Sequence, residues 1–201
     1  MESLITALRA HTRAQHSDLE SVTRLPQSLT GLSALREVLC NFFCYYRELD
    51  CLLKKSSRAG LPLTVRNRPF RSNVLLQDLA LLGVGGSALA KLPSCTGLPQ
   101  QLTLHQLWGV HYVIEGSALG GKIVRSHMLK QPELAPLADE LRFFNVYGAD
   151  TAIQWKRFSA ELNSLELTDA GQMEVINGAK FVFTTLIDWF QSQHAQRSII
   201  A

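Results

Sequence analysis

Apolar residues recur at intervals of three and four positions through most of the 201-residue chain, and no segment alternates steadily between apolar and polar positions. Intervals of three and four follow the turn of an α-helix, whereas steady alternation would indicate a β-strand. The pattern therefore predicts an all-α fold. Its helices are expected at about residues 3–22, 31–55, 73–82, 103–128, 132–144, 151–165 and 168–193.

Capping residues mark several of these helices. Ser72 is placed to cap the third and Gly83 to end it, while Thr168 is placed to cap the last. The segment 84–101, rich in glycine and proline, is expected to be irregular. Since no repeat, low-complexity stretch or linker divides the chain, we expect residues 1–201 to form a single domain.

Charge gives little reason to expect binding to nucleic acid or membranes. The 20 basic and 17 acidic residues are interspersed and leave a net charge of +3. The densest basic run, residues 66–71, contains a proline and is expected to be a solvated loop, or else a contact for an acidic electron-transfer partner. The sequence shows neither a leader peptide nor an apolar run of about 18 residues, so we expect a cytoplasmic protein.

The cysteines are expected to be packed thiols of a reducing compartment. Cys40, Cys44 and Cys51 lie at helical spacing inside an apolar segment. Their spacing does not match that of zinc ligands.

The first predicted helix carries two histidines on opposite borders of its apolar stripe. Arg9 and Arg13 lie on the His16 side, where guanidinium groups would meet the acidic groups of a ligand bound by that imidazole. His11 shares its side with Asp18. A neutral imidazole is a good iron ligand, but a single histidine with this spacing is more often a satisfied polar residue at the edge of the core.

The helix at 103–128 is unusually rich in glycine, although each glycine costs a helix about 1 kcal/mol relative to alanine. Gly109, Gly116 and Gly120 lie within about 20° of one line. Such a line suits either the close approach of a flat ligand or close packing of another helix, and the spacing leaves both open. Ser117 borders the line and is placed to bind an ordered water. His111 and Glu115 point elsewhere, where a hydrogen-bonded pair is a better interpretation than a metal site.

Five segments resemble the heme oxygenase family, in the same order and at compatible distances. Residues 8–16 (LRAHTRAQH) resemble its opening helix, with a threonine four positions before the proximal histidine. Residues 112–121 (YVIEGSALGG) resemble its glycine-rich distal helix in the bacterial form. Shorter similarities occur at 144–148, 155–158 and 163–168, so the resemblance covers nearly the whole chain.

The resemblance implies a multi-helix fold that holds heme, as cofactor and substrate, between the first helix and the glycine-rich helix. It makes His16 the proximal ligand of the iron, and it assigns the distal side to Gly116, Ser117 and Gly120. The residues implied to bind the rest of the heme are Arg9, Arg13, Gly121, Lys156, Arg157 and Phe183. Lys156 and Arg157 are included because Ser159 stands where some members place a basic residue for a propionate.

The implied reaction cleaves heme to biliverdin, carbon monoxide and ferrous iron. The reaction consumes dioxygen and electrons. The electrons must come from an external donor, a ferredoxin or a reductase, because no flavin- or nucleotide-binding motif occurs. A photoreceptor that accepts the bilin is a further partner that the resemblance allows. Ser117 replaces an aspartate of the animal members, which implies a different distal water network.

Three alternatives stay open. The first is a heme-binding or heme-carrier protein without turnover, using the same site. The second is a non-heme di-iron oxidase, and the third is a thiaminase-like hydrolase, which would need a buried cysteine nucleophile.

Overall fold

The computed structural model describes residues 3–56 and 59–200, with the backbone alone for 196–200. Its helices are α1 (Leu4–Thr23), α2 (Leu32–Lys55), α3 (Leu63–Arg66), α4 (Arg71–Leu81), α5 (Gly86–Leu89), α6 (Leu104–Met128), α7 (Thr151–Asn163) and α8 (Asp169–Ile200). Short 3₁₀ turns occupy Ala135–Leu137, Phe143–Asn145 and Gly148–Asp150. The described residues contain no strand, which confirms the predicted all-α fold.

Helix α8 packs along both α1 and α6 and also contacts α2, while α2 packs on α4. Two glycines allow α6 and α8 to touch backbone to backbone. A methyl group at Gly109 would overlap the backbone of Val175, and one at Gly178 would overlap the backbone of Gln106. Two buried hydrogen bonds also join α2 to α8, from Tyr45 Oη to Val182 O and from Trp189 Nε1 to Asn41 O.

Two of the three predicted capping residues lie at the ends of their helices, and one does not. The Thr168 hydroxyl accepts from the amide of Gly171 at the start of α8, and Gly83 follows α4 with φ +78°. Helix α4, however, begins at Arg71, so Ser72 lies inside it and is not its cap. The Ser72 amide donates to Asp50 Oδ2 at 2.8 Å instead.

The helix predicted at 132–144 is wrong: the segment consists of turns. Pro136 has no amide hydrogen for a helical bond. The amides of Arg142 and Phe143 donate to the Asp78 carboxylate at 2.9 and 2.8 Å, so they are not available to helical carbonyls. The apolar positions that suggested a helix are nevertheless buried, namely Leu134, Ala138, Leu141 and Phe144.

Three smaller differences concern helix extent. Helix α3 is a single turn that the apolar pattern does not reveal, and α5 is a single turn inside the segment predicted to be irregular. Helix α8 continues to Ile200, beyond its predicted end near residue 193. Among the described residues, no helix is both long and apolar enough to cross a bilayer.

The cysteines are all free thiols. Cys44 is buried in α2 as predicted, but Cys51 is exposed, which contradicts the expectation that it is packed. Burial raises the pKa of Cys44 and of Cys95 to about 11. Since these buried thiols stay protonated near neutral pH, neither is suited to the nucleophile that a thiaminase-like hydrolase would need.

Candidate active site between the first and sixth helices

His16 lies on α1 with its side chain 61% exposed. Its ring meets Phe183 of α8 edge to face, with ring centroids 5.9 Å apart. Its Nδ1 is 3.6 Å from Oε1 of Glu20, one turn further along α1. A carboxylate beside Nδ1 favours the tautomer that leaves Nε2 as the lone-pair nitrogen, which is the arrangement commonly found for histidines that bind metals.

A buried polar contact joins α1 to α6. The Thr12 hydroxyl donates to Leu8 O at 2.8 Å, and it also interacts with the Tyr112 hydroxyl. Burial raises the pKa of Tyr112, and the bond to Thr12 together with the charge of Arg9 reduces that rise. Thr12 is one turn before His16 and Tyr112 is one turn before Gly116. His16 and Gly116 each follow this contact by one turn of their own helix.

The predicted line of glycines serves two purposes. Gly109 belongs to the packing of α6 on α8, as described above. At Gly120, by contrast, a Cβ atom would have no described atom within 4 Å apart from its own helix, and at Gly116 it would lie 3.7 Å from the Trp155 ring. Gly121 is not part of this open face, since a methyl group there would overlap the Phe144 backbone.

Basic side chains lie on the two helices that flank the site. Arg9 and Arg13 of α1 and Lys156 and Arg157 of α7 are all exposed. The two helices contact each other, and the amide of Ile5 donates to the Asn163 side chain at 3.1 Å. These cationic groups are therefore available to the acidic groups of a ligand.

Ser117 lies between the open face of α6 and a buried phenol. Its hydroxyl donates to Ile114 O at 2.7 Å and also interacts with the Tyr46 hydroxyl of α2. Burial raises the pKa of Tyr46 to about 12, so this phenol is protonated at neutral pH and is able to donate to Ser117. The sequence showed Tyr46 only as one more residue of an apolar stripe.

Behind α6 lies a buried group of charges that we call the arginine–glutamate cluster, formed by Arg68, Arg71, Glu115 and Tyr147. Arg68 is paired with Glu115, and Arg71 Nη2 lies 3.8 Å from Glu115 Oε1. The Tyr147 hydroxyl contacts both carboxylate oxygens, at 3.1 and 2.9 Å. The arginine side chains are only 7% and 3% exposed. The solvated loop predicted for residues 66–71 is therefore wrong, because Glu115 draws two of its arginines into the interior.

The predicted hydrogen bond between His111 and Glu115 stays a prediction. The Glu115 carboxylate is already paired with Arg68. His111 and Asp50 line a cavity of about 10 Å³ together with the two arginines and the glutamate of the cluster, and this volume is close to the space that one water needs. Among the described residues, no group of three or more histidine, cysteine or acidic side chains is arranged to hold a metal ion.

A more open cavity of about 560 Å³ lies where α1 ends, beside α2 and α8. Its lining includes Thr23, Arg24 and His194, but none of the predicted site residues. Chemical groups suited to a cofactor converge at His16 instead.

The side chains around His16 fit a heme. An exposed imidazole backed by a carboxylate is a suitable iron ligand, and the open space at Gly120, with no side chain at Gly116, allows a flat ring to approach α6. The exposed arginines of α1 are suited to propionates. The fold and the site together are those of an all-helical protein with side chains suited to a flat, acidic, iron-bearing ligand.

Comparison with known proteins agrees. The sequence model of the family described as Heme oxygenase matches residues 2–192, and the chain belongs to the heme oxygenase family. It is 33% identical over 113 residues to a heme oxygenase of Xanthomonas campestris pv. campestris (strain 8004), a match that spans 56% of this chain and 62% of that protein. Its fold matches the structure of heme oxygenase from Leptospira interrogans with a TM-score of 0.69 at 20% identity, covering 95% of this chain and 100% of that one.

Proposed function

We propose that this chain cleaves heme oxidatively to biliverdin, with release of carbon monoxide and ferrous iron. The observation that carries the proposal is the geometry around the contact of Thr12 with Tyr112. One turn beyond it on α1 is the exposed His16, and one turn beyond it on α6 is Gly116, which with Gly120 leaves room for a flat ligand.

In this proposal His16 would bind the iron through Nε2, and the Glu20 carboxylate beside Nδ1 would favour the required tautomer. Bound heme would supply both the iron that activates dioxygen and the ring that is cleaved. Gly116 and Gly120 allow α6 to approach the ring closely, and Ser117 offers a hydroxyl beside them. Phe183 packs against His16 and limits the rotation of its ring.

Arg9 and Arg13 would bind the propionates, with Lys156 and Arg157 on the neighbouring helix as further cations. These basic residues would thereby set how the ring is turned, and so which carbon bridge would face Ser117. The contact with Phe144 gives Gly121 a packing role, so we do not assign it to the ligand.

The reaction needs dioxygen and electrons from outside. We propose a separate ferredoxin or reductase as the donor, because the sequence carries no flavin- or nucleotide-binding motif. We further propose a cytoplasmic location, where buried free thiols such as Cys44 remain reduced. A photoreceptor that accepts the bilin is the partner proposed for the product.

A single aerobic turnover tests the proposed activity. The protein is loaded with heme, given a reductant under dioxygen, and the products are separated by chromatography. We expect the heme absorbance to disappear and biliverdin to form. A heme spectrum that persists without any bilin would contradict the proposal and support the heme-binding protein without turnover.

His16→Ala tests the iron ligand, with His11→Ala as the matched control on the same helix. Both side chains are exposed, so neither change should disturb folding. We expect His16→Ala to abolish or greatly weaken the axial ligation seen in the heme spectrum, and His11→Ala to leave it unchanged. A normal spectrum for the His16 variant would contradict the assignment.

A further inference from the structure

The carbonyl oxygen of Ile114 has more donors than it can use. Arg71 Nη2 donates to it at 3.2 Å and Ser117 Oγ at 2.7 Å. The geometry of α6 directs the amide of Ala118 to the same oxygen. A carbonyl oxygen has two lone pairs, so one of the three donors is surplus.

Arg71 is held firmly on that carbonyl. Its side chain is almost fully buried, near the Glu115 carboxylate and 5.4 Å from the centre of the Tyr147 ring. Glu115 is fixed in turn by Arg68 and by the Tyr147 hydroxyl. Withdrawing Arg71 would weaken the pairing of buried charges, which is strongly unfavourable.

The Ser117 hydroxyl, by contrast, leaves the carbonyl easily. It lies at an exposed position and needs only a rotation about one bond to point elsewhere. The protonated Tyr46 phenol interacts with it from the buried side, and a hydroxyl that accepts a hydrogen bond becomes a better donor.

We propose that Glu115 is a positioning residue: by holding Arg71 on the Ile114 carbonyl, it frees the Ser117 hydroxyl to donate a hydrogen bond to a small ligand bound on the open face of α6. The inference rests on the proposed function, because it takes that ligand to be one held by heme iron. It adds a role for the arginine–glutamate cluster, which contains none of the residues proposed to bind heme.

Fluoride is a suitable probe, because it binds ferric heme and accepts hydrogen bonds. Its dissociation constant is measured by titration of the visible spectrum of the ferric heme complex. Glu115→Gln keeps the size of the side chain but removes its charge. We expect fluoride to bind roughly 3- to 10-fold more weakly, the effect of losing one hydrogen bond.

The direction of this change separates positioning from a direct effect of charge. Removing a negative charge would by itself strengthen the binding of an anion. Ser117→Ala should weaken fluoride binding by a similar factor, and Glu115→Gln should then cause no further weakening in the double variant. Unchanged or tighter binding in Glu115→Gln, or additive losses in the double variant, would overturn the proposal.

One further variant controls for a general loss of stability, and another replaces Glu115→Gln if that variant does not fold. Trp189→Phe removes a buried hydrogen bond to Asn41 O between α2 and α8, and fluoride binding should not change. If Glu115→Gln does not fold, Arg71→Lys keeps the charge but loses the planar donor fork, and the same weakening is expected. A wild-type protein that binds no heme would refute the proposed function and this inference together, whereas normal heme binding with unaltered fluoride affinity in the variants would refute the inference alone.

Discussion

Glu20 is the side chain through which α1 can tune the iron ligand. The Nδ1 of His16 and the Oε1 of Glu20 are 3.6 Å apart, and the two side chains are 61% and 66% exposed. Loss of such a partner typically weakens metal binding by about 10- to 100-fold, and exposure places Glu20 at the lower end. We therefore expect Glu20→Gln to weaken heme binding by up to about 10-fold, measured by absorbance titration.

Asp18→Asn is the matched control for Glu20→Gln. Asp18 is also acidic and exposed on α1, but it lies two positions from His16 and so points to another side of the helix. Equal heme affinities for the two variants would show that Glu20 does not act on His16.

The sequence alone revealed some of the residues at the candidate site but not others. His16 and the glycines were visible because a basic side and a row of missing side chains are patterns within one helix. Tyr46 was not visible, because a buried phenol and a packed ring occupy the same kind of position in an apolar stripe. The burial of Arg68 and Arg71 was not visible either, since their partner Glu115 is far away in the sequence. The only signal for it was an acidic residue within the apolar part of α6.

Helix α6 uses its glycines for opposite purposes, which stability measurements can separate. At Gly120 an added methyl group meets open space, so Gly120→Ala should stabilise the heme-free protein by up to about 1 kcal/mol through helix propensity. At Gly109 the methyl group would overlap the α8 backbone, so Gly109→Ala should destabilise it by about 1–3 kcal/mol. Denaturant unfolding measures both changes.

Gly120→Ala also tests the role of the open face of α6. Gly120→Ala should weaken heme binding although it stabilises the fold, because its methyl group occupies space proposed for the ring. A loss of stability in Gly120→Ala would show that this position is packed, and undiminished heme binding would show that the ring lies elsewhere.

At the scale of helices, the apolar pattern reports which side chains are buried but not which distant residues they contact. In residues 132–144 the pattern correctly indicated which side chains are buried, but not the helix, because Asp78 takes the amides of Arg142 and Phe143. No pattern inside the segment reports a carboxylate on α4. The two roles of the α6 glycines were undecided for the same reason: the helix that fills the space at Gly109 comes later in the chain.

In the molecule as a whole, α8 connects the two sides of the proposed heme site. It packs on α1, where Phe183 meets His16, and on α6, where Gly109 and Gly178 bring the backbones together. The opposite side of α6 is supported by the arginine–glutamate cluster and by the Phe143–Asn145 turn, which Asp78 holds in place. The position of the open face of α6 therefore depends on buried polar groups as well as on apolar packing.

The buried carboxyl of Asp78 should make the stability of the whole fold depend on pH. Burial raises its pKa above 3.8, although the amides of Arg142 and Phe143 and the charge of Arg142 act in the opposite direction. The folded chain thus holds this proton more tightly than the unfolded chain does. The contribution of Asp78 is fully present below 3.8 and is lost as the pH rises through its folded pKa.

Asp78→Asn removes this titration and offers one acceptor oxygen where two amides donate. We expect the variant to be less stable by about 1–3 kcal/mol, the penalty for a buried group left without its bond. Because only the wild type loses stability as Asp78 ionises, the difference between the two should be largest near pH 4 and should narrow toward about pH 7. Urea unfolding across this range measures it, with Asp18→Asn as the control for loss of an exposed carboxylate. A difference that widens as the pH rises would mean that the two amides outweigh burial and lower the pKa of Asp78.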